Sequence, residues 1–294
     1  MKDLIRFSRY TLEANDYHNS QAGVGSVTGA VVEYRGGYGC IQAWPELGDA
    51  TLEHHLDALR SGNPTVMGRA CINCCMIDGD ARRKGIHLLS AANIRKSHYL
   101  LTEIEPADLL EVKLSSVNPG GLVKIKGTSN LESTIGAVET ITQSCRVRID
   151  FNMCLDKDTF RNFMSGLTSR ARRKIQFIED PFPYDAEQWR VASGEVGVNF
   201  ALDWGPDDAL GGFAVRIWKP ARQLNPPAGS VYCITHNMDH VIGRSYAAYQ
   251  AAVFNGELLE CGLGEIVISA GDTGFGFNQQ LESMEWEKLN ERCN

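Results

Sequence analysis

Asp150, Glu179 and Asp203 each close a short, strand-like run of largely apolar residues: VRID, IQFIE and NFALD. They follow one another at intervals of 29 and 24 residues. Each interval is close to one repeat of a (β/α)₈ barrel, in which roughly 250 residues over eight units gives about 31 per unit. Neighbouring parallel strands of that spacing bring three strand-end carboxylates to one rim, where ligands bind in parallel α/β folds. Like charges so close repel, and an all-oxygen donor set calls for a hard divalent cation, Mg²⁺ first and Mn²⁺ as an alternative. Two lysines complete the chemistry. Lys126 ends GLVKIK, with Lys124 two residues earlier on the same strand face, and Lys219 ends RIWK immediately before Pro220. A lysine on each side of an anion held by a cation is equipment for removing a proton α to a carboxylate. Taken singly, each lysine reads as an exposed strand end paired with a nearby acid; the ordered set is much harder to obtain by chance.

The elements that must position these residues can be read along the chain. Residues 1–45 read as strands, interrupted by the polar, glycine-bearing NDYHNSQAGVGSV. Residues 15–27 are expected to form a mobile flap over the site. An acidic first turn at Asp49–Glu53 opens a helix reaching about Arg60, and Asn63-Pro64 opens another through Cys71, Cys74 and Cys75. From residue 98 to Asp203, strands and helices alternate, as in right-handed βαβ units of a parallel sheet. DKDTFRNFMSGLTSR reads as one helix, with the basic SRARRK at its solvated end. After Asp203 only 16 residues lead to Lys219 and 16 more to Thr235, and the second gap holds three prolines. Two crossover helices are therefore shortened or absent. The strand faces around 207–229 are then expected to be covered by a homo-oligomer contact or by the C-terminal tail.

Composition sets the class. The chain has 294 residues, 43% hydrophobic and 22% charged, with a net charge of −7. That suits a globular protein and argues against a nucleic-acid partner. The N-terminus lacks the apolar stretch of a secretory signal and no run approaches a membrane span, so a cytoplasmic protein without membrane partners is expected. Nine cysteines include CINCC at 71–75, but no second pair at zinc-like spacing. Reduced helix or core thiols are the expectation.

The order KIK (124–126), RIDFN (148–152), IEDPFP (178–183), ALD (201–203) and IWKPA (217–221) resembles the enolase superfamily. The likeness is to the branch holding o-succinylbenzoate synthases and the related muconate-lactonizing, dipeptide-epimerase and N-acylamino-acid racemase enzymes. It covers most of the chain, because IQAWPELGDATLEHHL is similar to that family's capping domain. The resemblance implies an α/β architecture, with an α+β capping domain over 1–93 and a modified (β/α)7β TIM-type barrel with shortened late helices over 94–265. A tail, 266–294, returns to the cap. It implies Asp150, Glu179 and Asp203 as Mg²⁺ ligands, Lys126 and Lys219 flanking a small carboxylate substrate, and Lys124, Arg148 and Asn152 in support.

Residues 235–252, THNMDHVIGRSYAAYQAA, are similar to a T-x-x-M-D-H-P-x-G-Q segment of certain o-succinylbenzoate synthases, with Val241 for Pro and Arg244 for Gln. Thr235 and Asn237 become candidate substrate contacts, and His236 and His240 a loop and helix cap rather than a metal pair. Trp204 stands where many relatives carry Glu. The activity implied is a lyase, the Mg²⁺-assisted syn-dehydration of the cyclohexadiene acid SHCHC to o-succinylbenzoate in menaquinone biosynthesis. A racemase or epimerase would use the same two lysines. A non-catalytic barrel that binds a small acid is the alternative from another class, and the intact five-residue set counts against it.

Overall fold

The computed structural model describes residues 4–13, 25–90, 92–266, 268 and 271–289. Of the expected flap, residues 15–24 lie outside the described residues. The first part of the chain forms β1 (Ile5–Leu12), β2 (Val27–Tyr34) and β3 (Gly37–Ile41), followed by α1 (Leu52–Ser61) and α2 (Val66–Arg83). The helices start where threonine hydroxyls can cap them: Thr51 accepts from the His54 N–H and Thr65 from the Gly68 N–H. The three strands pair antiparallel, and their apolar face packs on Leu56, Leu59, Met67, Cys71 and Cys75 of the two helices. A Cβ on Gly39 would lie 2.5 Å from the Cys71 carbonyl oxygen, so glycine lets α2 approach β3 backbone to backbone. Cys71, Cys74 and Cys75 are buried free thiols in this contact, which accounts for the CINCC run without a metal.

The barrel strands are β4 (Tyr99–Leu101), β5 (Leu122–Lys126), β6 (Arg146–Asp150), β7 (Ile175–Glu179), β8 (Phe200–Leu202), β9 (Val215–Trp218), β10 (Val231–Ile234) and β11 (Glu257–Leu258). All seven neighbouring pairs are parallel and in chain order. Past β11 the chain closes the ring: Cys261 bridges Ser97 and Gly262 bridges Thr235, with the His98 N–H donating to the Cys261 carbonyl at 3.0 Å. Crossover helices are α3 (Ala107–Leu114), α4 (Leu131–Ser144), α5 (Lys157–Gly166), α6 (Ser169–Lys174), α7 (Ala186–Val196) and α8 (Val241–Val253). The period-two alternation sorts the strands' side chains. Val123, Ile125, Ile149, Ile178 and Phe200 face helix residues such as Val138, Phe160 and Trp189, whereas Phe177, Ala201, Val215, Ile217 and Cys233 fill the interior.

One expectation is corrected. The basic run 169–174 is a helix of its own rather than the end of α5, because Leu167 is extended and buried and the Thr168 hydroxyl caps α6 by accepting from the Ala171 N–H. The wall around 207–229 is covered in part from within the chain, although Leu210 on it is exposed. Arg216 is fully buried and donates to the Gly205 and Pro206 carbonyls, and the Tyr232 hydroxyl donates to the Pro227 and Gly229 carbonyls. Trp218 packs on Ala247 and Ala248 of α8. No helix follows β8 or β9 among the described residues, as the short gaps require.

The tail returns to the antiparallel sheet. It holds α9 (Asn278–Glu282) and β12 (Glu287–Lys288), and β12 pairs antiparallel with β1. Asp78 of α2 ties it down: one carboxylate oxygen accepts from the Phe275 N–H at 2.6 Å, the other from the Tyr38 N–H at 2.9 Å and from Arg82 at 2.5 Å. Asp78→Ala would leave two amides and a guanidinium without their acceptor in a buried place. We expect a loss of about 3 kcal/mol in urea or thermal unfolding. Asp78→Asn, which keeps an acceptor, should lose less. An unchanged midpoint for the alanine variant would contradict this account.

Candidate active site

Five neighbouring strands carry five charged groups to one rim in the order in which the chain presents them. Lys126 ends β5, Asp150 β6 and Glu179 β7, while Asp203 and Lys219 each stand one residue past the ends of β8 and β9. The register places Lys126 beside Asp150 and Asp150 beside Glu179. Pro181 and Pro220 stop β7 and β9 just beyond their site residues, so the polar side chains sit at the tips.

The charges interlock. The Lys124 ammonium lies 2.6 Å from Glu179 Oε2 and 2.9 Å from Asp150 Oδ2, Lys126 lies 2.6 Å from Asp150 Oδ2, and Lys219 lies 2.5 Å from Asp203 Oδ2. Among the described residues no three His, Cys, Asp or Glu side chains are gathered closely enough to chelate an ion as placed; the ammonium groups engage the carboxylates. Burial opposes ionisation of Asp150, but Lys124 and Lys126 together outweigh it and hold its carboxyl below the usual range. Glu179 goes the other way. Burial and the neighbouring Asp150 raise it, and the ammonium groups of Lys124 and Lys126 do not compensate. Lys124 itself is held above the ordinary lysine range: burial opposes its charge, and the two carboxylates overcome that.

Sequence reasoning passed over a fourth carboxylate. Asp180 is fully buried, has a positive φ of 43°, and accepts from the Asp203 and Trp204 N–H groups at 3.1 Å each. It fixes the backbone that presents Asp203, and burial and the nearby acids push its carboxyl well up. The EDP run was visible in sequence; that its second acid turns back under the next strand was not. Trp204 lies with its ring 4.8 Å from the Lys219 ammonium and 4.5 Å from the Arg222 guanidinium, an aromatic face that steadies both cations.

A cavity of about 250 Å³ opens on this rim, just under the usual range of small-molecule sites. Of the residues singled out in sequence, Lys124, Lys126, Asp150, Glu179, Asp203, Lys219 and Thr235 line it. Three do not. Asn152 lies behind Asp150, its N–H donating to Asp150 Oδ1 at 3.1 Å. Asn237 staples the segment after β3 to the loop before α8: its side-chain amide donates to the Gln42 carbonyl at 3.0 Å, and its own carbonyl accepts from the Trp44 indole at 2.9 Å. Arg148 is buried deeper in the barrel, its guanidinium 4.5 Å from the centre of the Phe177 ring. There β7 carries one extra residue against β6, and Gln176 accepts from Arg148 Nε at 2.7 Å.

Arg148 reaches the cavity through His98. An arginine only donates, so its 2.9 Å contact makes His98 Nδ1 the acceptor and leaves Nε2 as the protonated nitrogen. Burial, then Lys124 and Arg148, keep this imidazole neutral. His236 repeats the arrangement. Its Nδ1 accepts from the Met238 N–H at 3.0 Å, and burial with the charges of Arg244, Lys219 and Lys124 pushes its pKa down to about 3. Both rings line the cavity as neutral N–H donors. Gly262 keeps the floor open between them, since a Cβ there would lie 2.8 Å from both His98 Cε1 and Thr235 Cγ2. His240 is the N-cap of α8, its side chain accepting from the Ile242 N–H, so the two histidines of the loop do not form a metal pair. His98 escaped the sequence reading because a lone histidine before a strand carries no spacing signal.

The amino-terminal part of the chain, residues 5–81, matches the family model described as O-succinylbenzoate synthase, N-terminal domain. An o-succinylbenzoate synthase of Bdellovibrio bacteriovorus is 28% identical, over 98% of this chain and 99% of the relative. Among solved structures, a dipeptide epimerase from Enterococcus faecalis complexed with Mg and the dipeptide L-Leu-L-Tyr superposes with a TM-score of 0.72 at 17% identity, covering 90% of each chain. A mandelate racemase/muconate lactonizing protein from Herpetosiphon aurantiacus gives 0.73 at 14% identity, over 92% of this chain and 96% of its own. No described helix is long and apolar enough to cross a membrane. The chain has the fold seen in enolase-superfamily structures, and its sequence is similar to that of an o-succinylbenzoate synthase.

Proposed function

We propose that the chain is an o-succinylbenzoate synthase, dehydrating SHCHC to o-succinylbenzoate. The observation that carries the reading is the arc of Lys126, Asp150, Glu179, Asp203 and Lys219 on five neighbouring strands around one cavity. Its donor set fits a hard divalent cation. Asp150, Glu179 and Asp203 offer only oxygen, and burial, then the neighbouring Asp150, raises Glu179, a cost that a bound cation would relieve. These three would hold Mg²⁺, which supplies Lewis-acid stabilisation of a developing enediolate. The protein's own groups account for the rest. Lys126 takes the proton α to the ring carboxylate, the electron pair expels the ring hydroxyl from the same face, and that proton leaves with it as water. Lys219, steadied by Trp204, supplies positive charge from the other side. His98, His236 and Thr235 orient the substrate.

The placement of a lysine on each side of the carboxylates also favours a second reading, racemisation or epimerisation of an N-acylamino acid or dipeptide. The two are separated by assaying the purified protein with SHCHC and Mg²⁺ beside panels of N-succinylamino acids and dipeptides. Turnover of SHCHC well above every member of the panels is expected. Racemisation without dehydration would replace the first reading with the second.

A further inference from the structure

Arg244 has no role in the reading above, yet it lines the cavity from the first turn of α8. Its Nε is buried without a hydrogen-bond partner, and it forms no ion pair within the described residues. Asp239 feels the charge of Arg244 but forms no ion pair with it, and its carboxylate lies 3.8 Å from the neutral His236 ring. The cations around Arg244, Lys219 among them, only add to the positive charge. A second polar atom is left open beside it: Thr235 Oγ1 is buried, faces the same cavity and has no partner. A partly buried guanidinium without an anion is costly, whereas a carboxylate matches its planar fork with two parallel hydrogen bonds. Arg244 stands on the segment after β10, beside Gly264, across the cavity from the β5–β7 end of the charged arc.

We propose that Arg244 is a specificity-determining residue that anchors the second, distal carboxylate of a dicarboxylate substrate, while the first carboxylate lies at the lysine and acid rim. The inference rests on the function proposed above, since SHCHC and its product carry a ring carboxylate and a succinyl carboxylate. It predicts that the distal carboxylate, rather than the ring, sets affinity through this residue.

The test is calorimetric binding, with Mg²⁺ present, of two ligand pairs that differ only in the distal carboxylate. One pair is o-succinylbenzoate and o-butyrylbenzoate; the other is N-succinyl- and N-butyryl-phenylalanine. Wild type should bind the diacid of the recognised pair roughly 10- to 100-fold more tightly than its monoacid. Arg244→Gln should abolish that preference while leaving monoacid affinity within about threefold, and Arg244→Lys should restore part of it. Equal losses for both members of a pair would mark a merely structural role and overturn the inference. So would a wild type indifferent to the distal carboxylate. Recognition of the N-succinyl pair alone, lost in Arg244→Gln, would uphold the anchor and overturn the lyase reading. Binding of neither diacid would overturn both.

Discussion

Glu179→Gln is expected to lower kcat at least 10³-fold and to weaken Mg²⁺ binding, with an unfolding midpoint close to that of the wild type. Gln keeps the size and an acceptor for the Lys124 ammonium 2.6 Å away, but removes the charge that the cation would need. The fold should tolerate the change, because burial already disfavours charge on Glu179 and pushes its pKa up to about 7. The same displacement sets a pH dependence. A carboxyl raised above its ordinary value holds its proton below about pH 7, and the cation must displace that proton. Mg²⁺ affinity should therefore fall as pH drops through 7, approaching tenfold per pH unit. In the metal-free protein the sign is opposite for stability: the ionised buried group disfavours the fold, so stability declines from the ordinary glutamate pKa up to about 7. Glu179→Gln should remove this residue's share of both slopes, leaving the part of the stability slope that the raised Asp180 and Asp239 contribute. Calorimetric titrations with Mg²⁺ at several pH values, beside urea unfolding without metal, check this. A wild-type affinity flat between pH 6 and 8 would remove Glu179 from the ligand set.

Lys126 and Lys219 should differ in consequence. A syn-dehydration needs one base on one face, so Lys126→Ala and Lys126→Arg should each cost about 10²- to 10⁴-fold in kcat. A guanidinium with a pKa above ~12 cannot serve as that base near neutrality. Lys219→Arg keeps the charge beside Asp203 and over Trp204 and should cost less. An epimerase would need both lysines, one per substrate configuration. Exchange of the α-proton in D₂O separates the cases, measured for each variant with substrates of either configuration. Wild-type exchange from both faces, each face lost with a different lysine, would overturn the dehydratase assignment.

Much of this was legible in the sequence because local rules carried it. The strand-to-helix alternation from β4 to β8 follows from side-chain periodicity, and prolines behind Glu179 and Lys219 mark where those strands must end. Short, proline-bearing gaps after Asp203 excluded two crossover helices without reference to any partner element. Spacing of one repeat per acid then placed three carboxylates on one rim.

Tertiary structure decided what depends on contacts between residues far apart in the chain. Arg148 shares a strand face with Asp150 but lies a layer deeper, where Gln176 of β7 and His98 before β4 hold it. No sequence spacing links those three. Asn237, next to a cavity residue in sequence, turns away because Gln42 and Trp44, just past the end of β3, meet it there. His98, Asp180 and Arg244 became candidates only once the barrel had closed. A lone polar residue acquires its chemistry from what it is buried against, and burial is a property of the packed chain. The sequence by itself determined the repeat and the charged arc; packing alone determined which polar groups that arc faces.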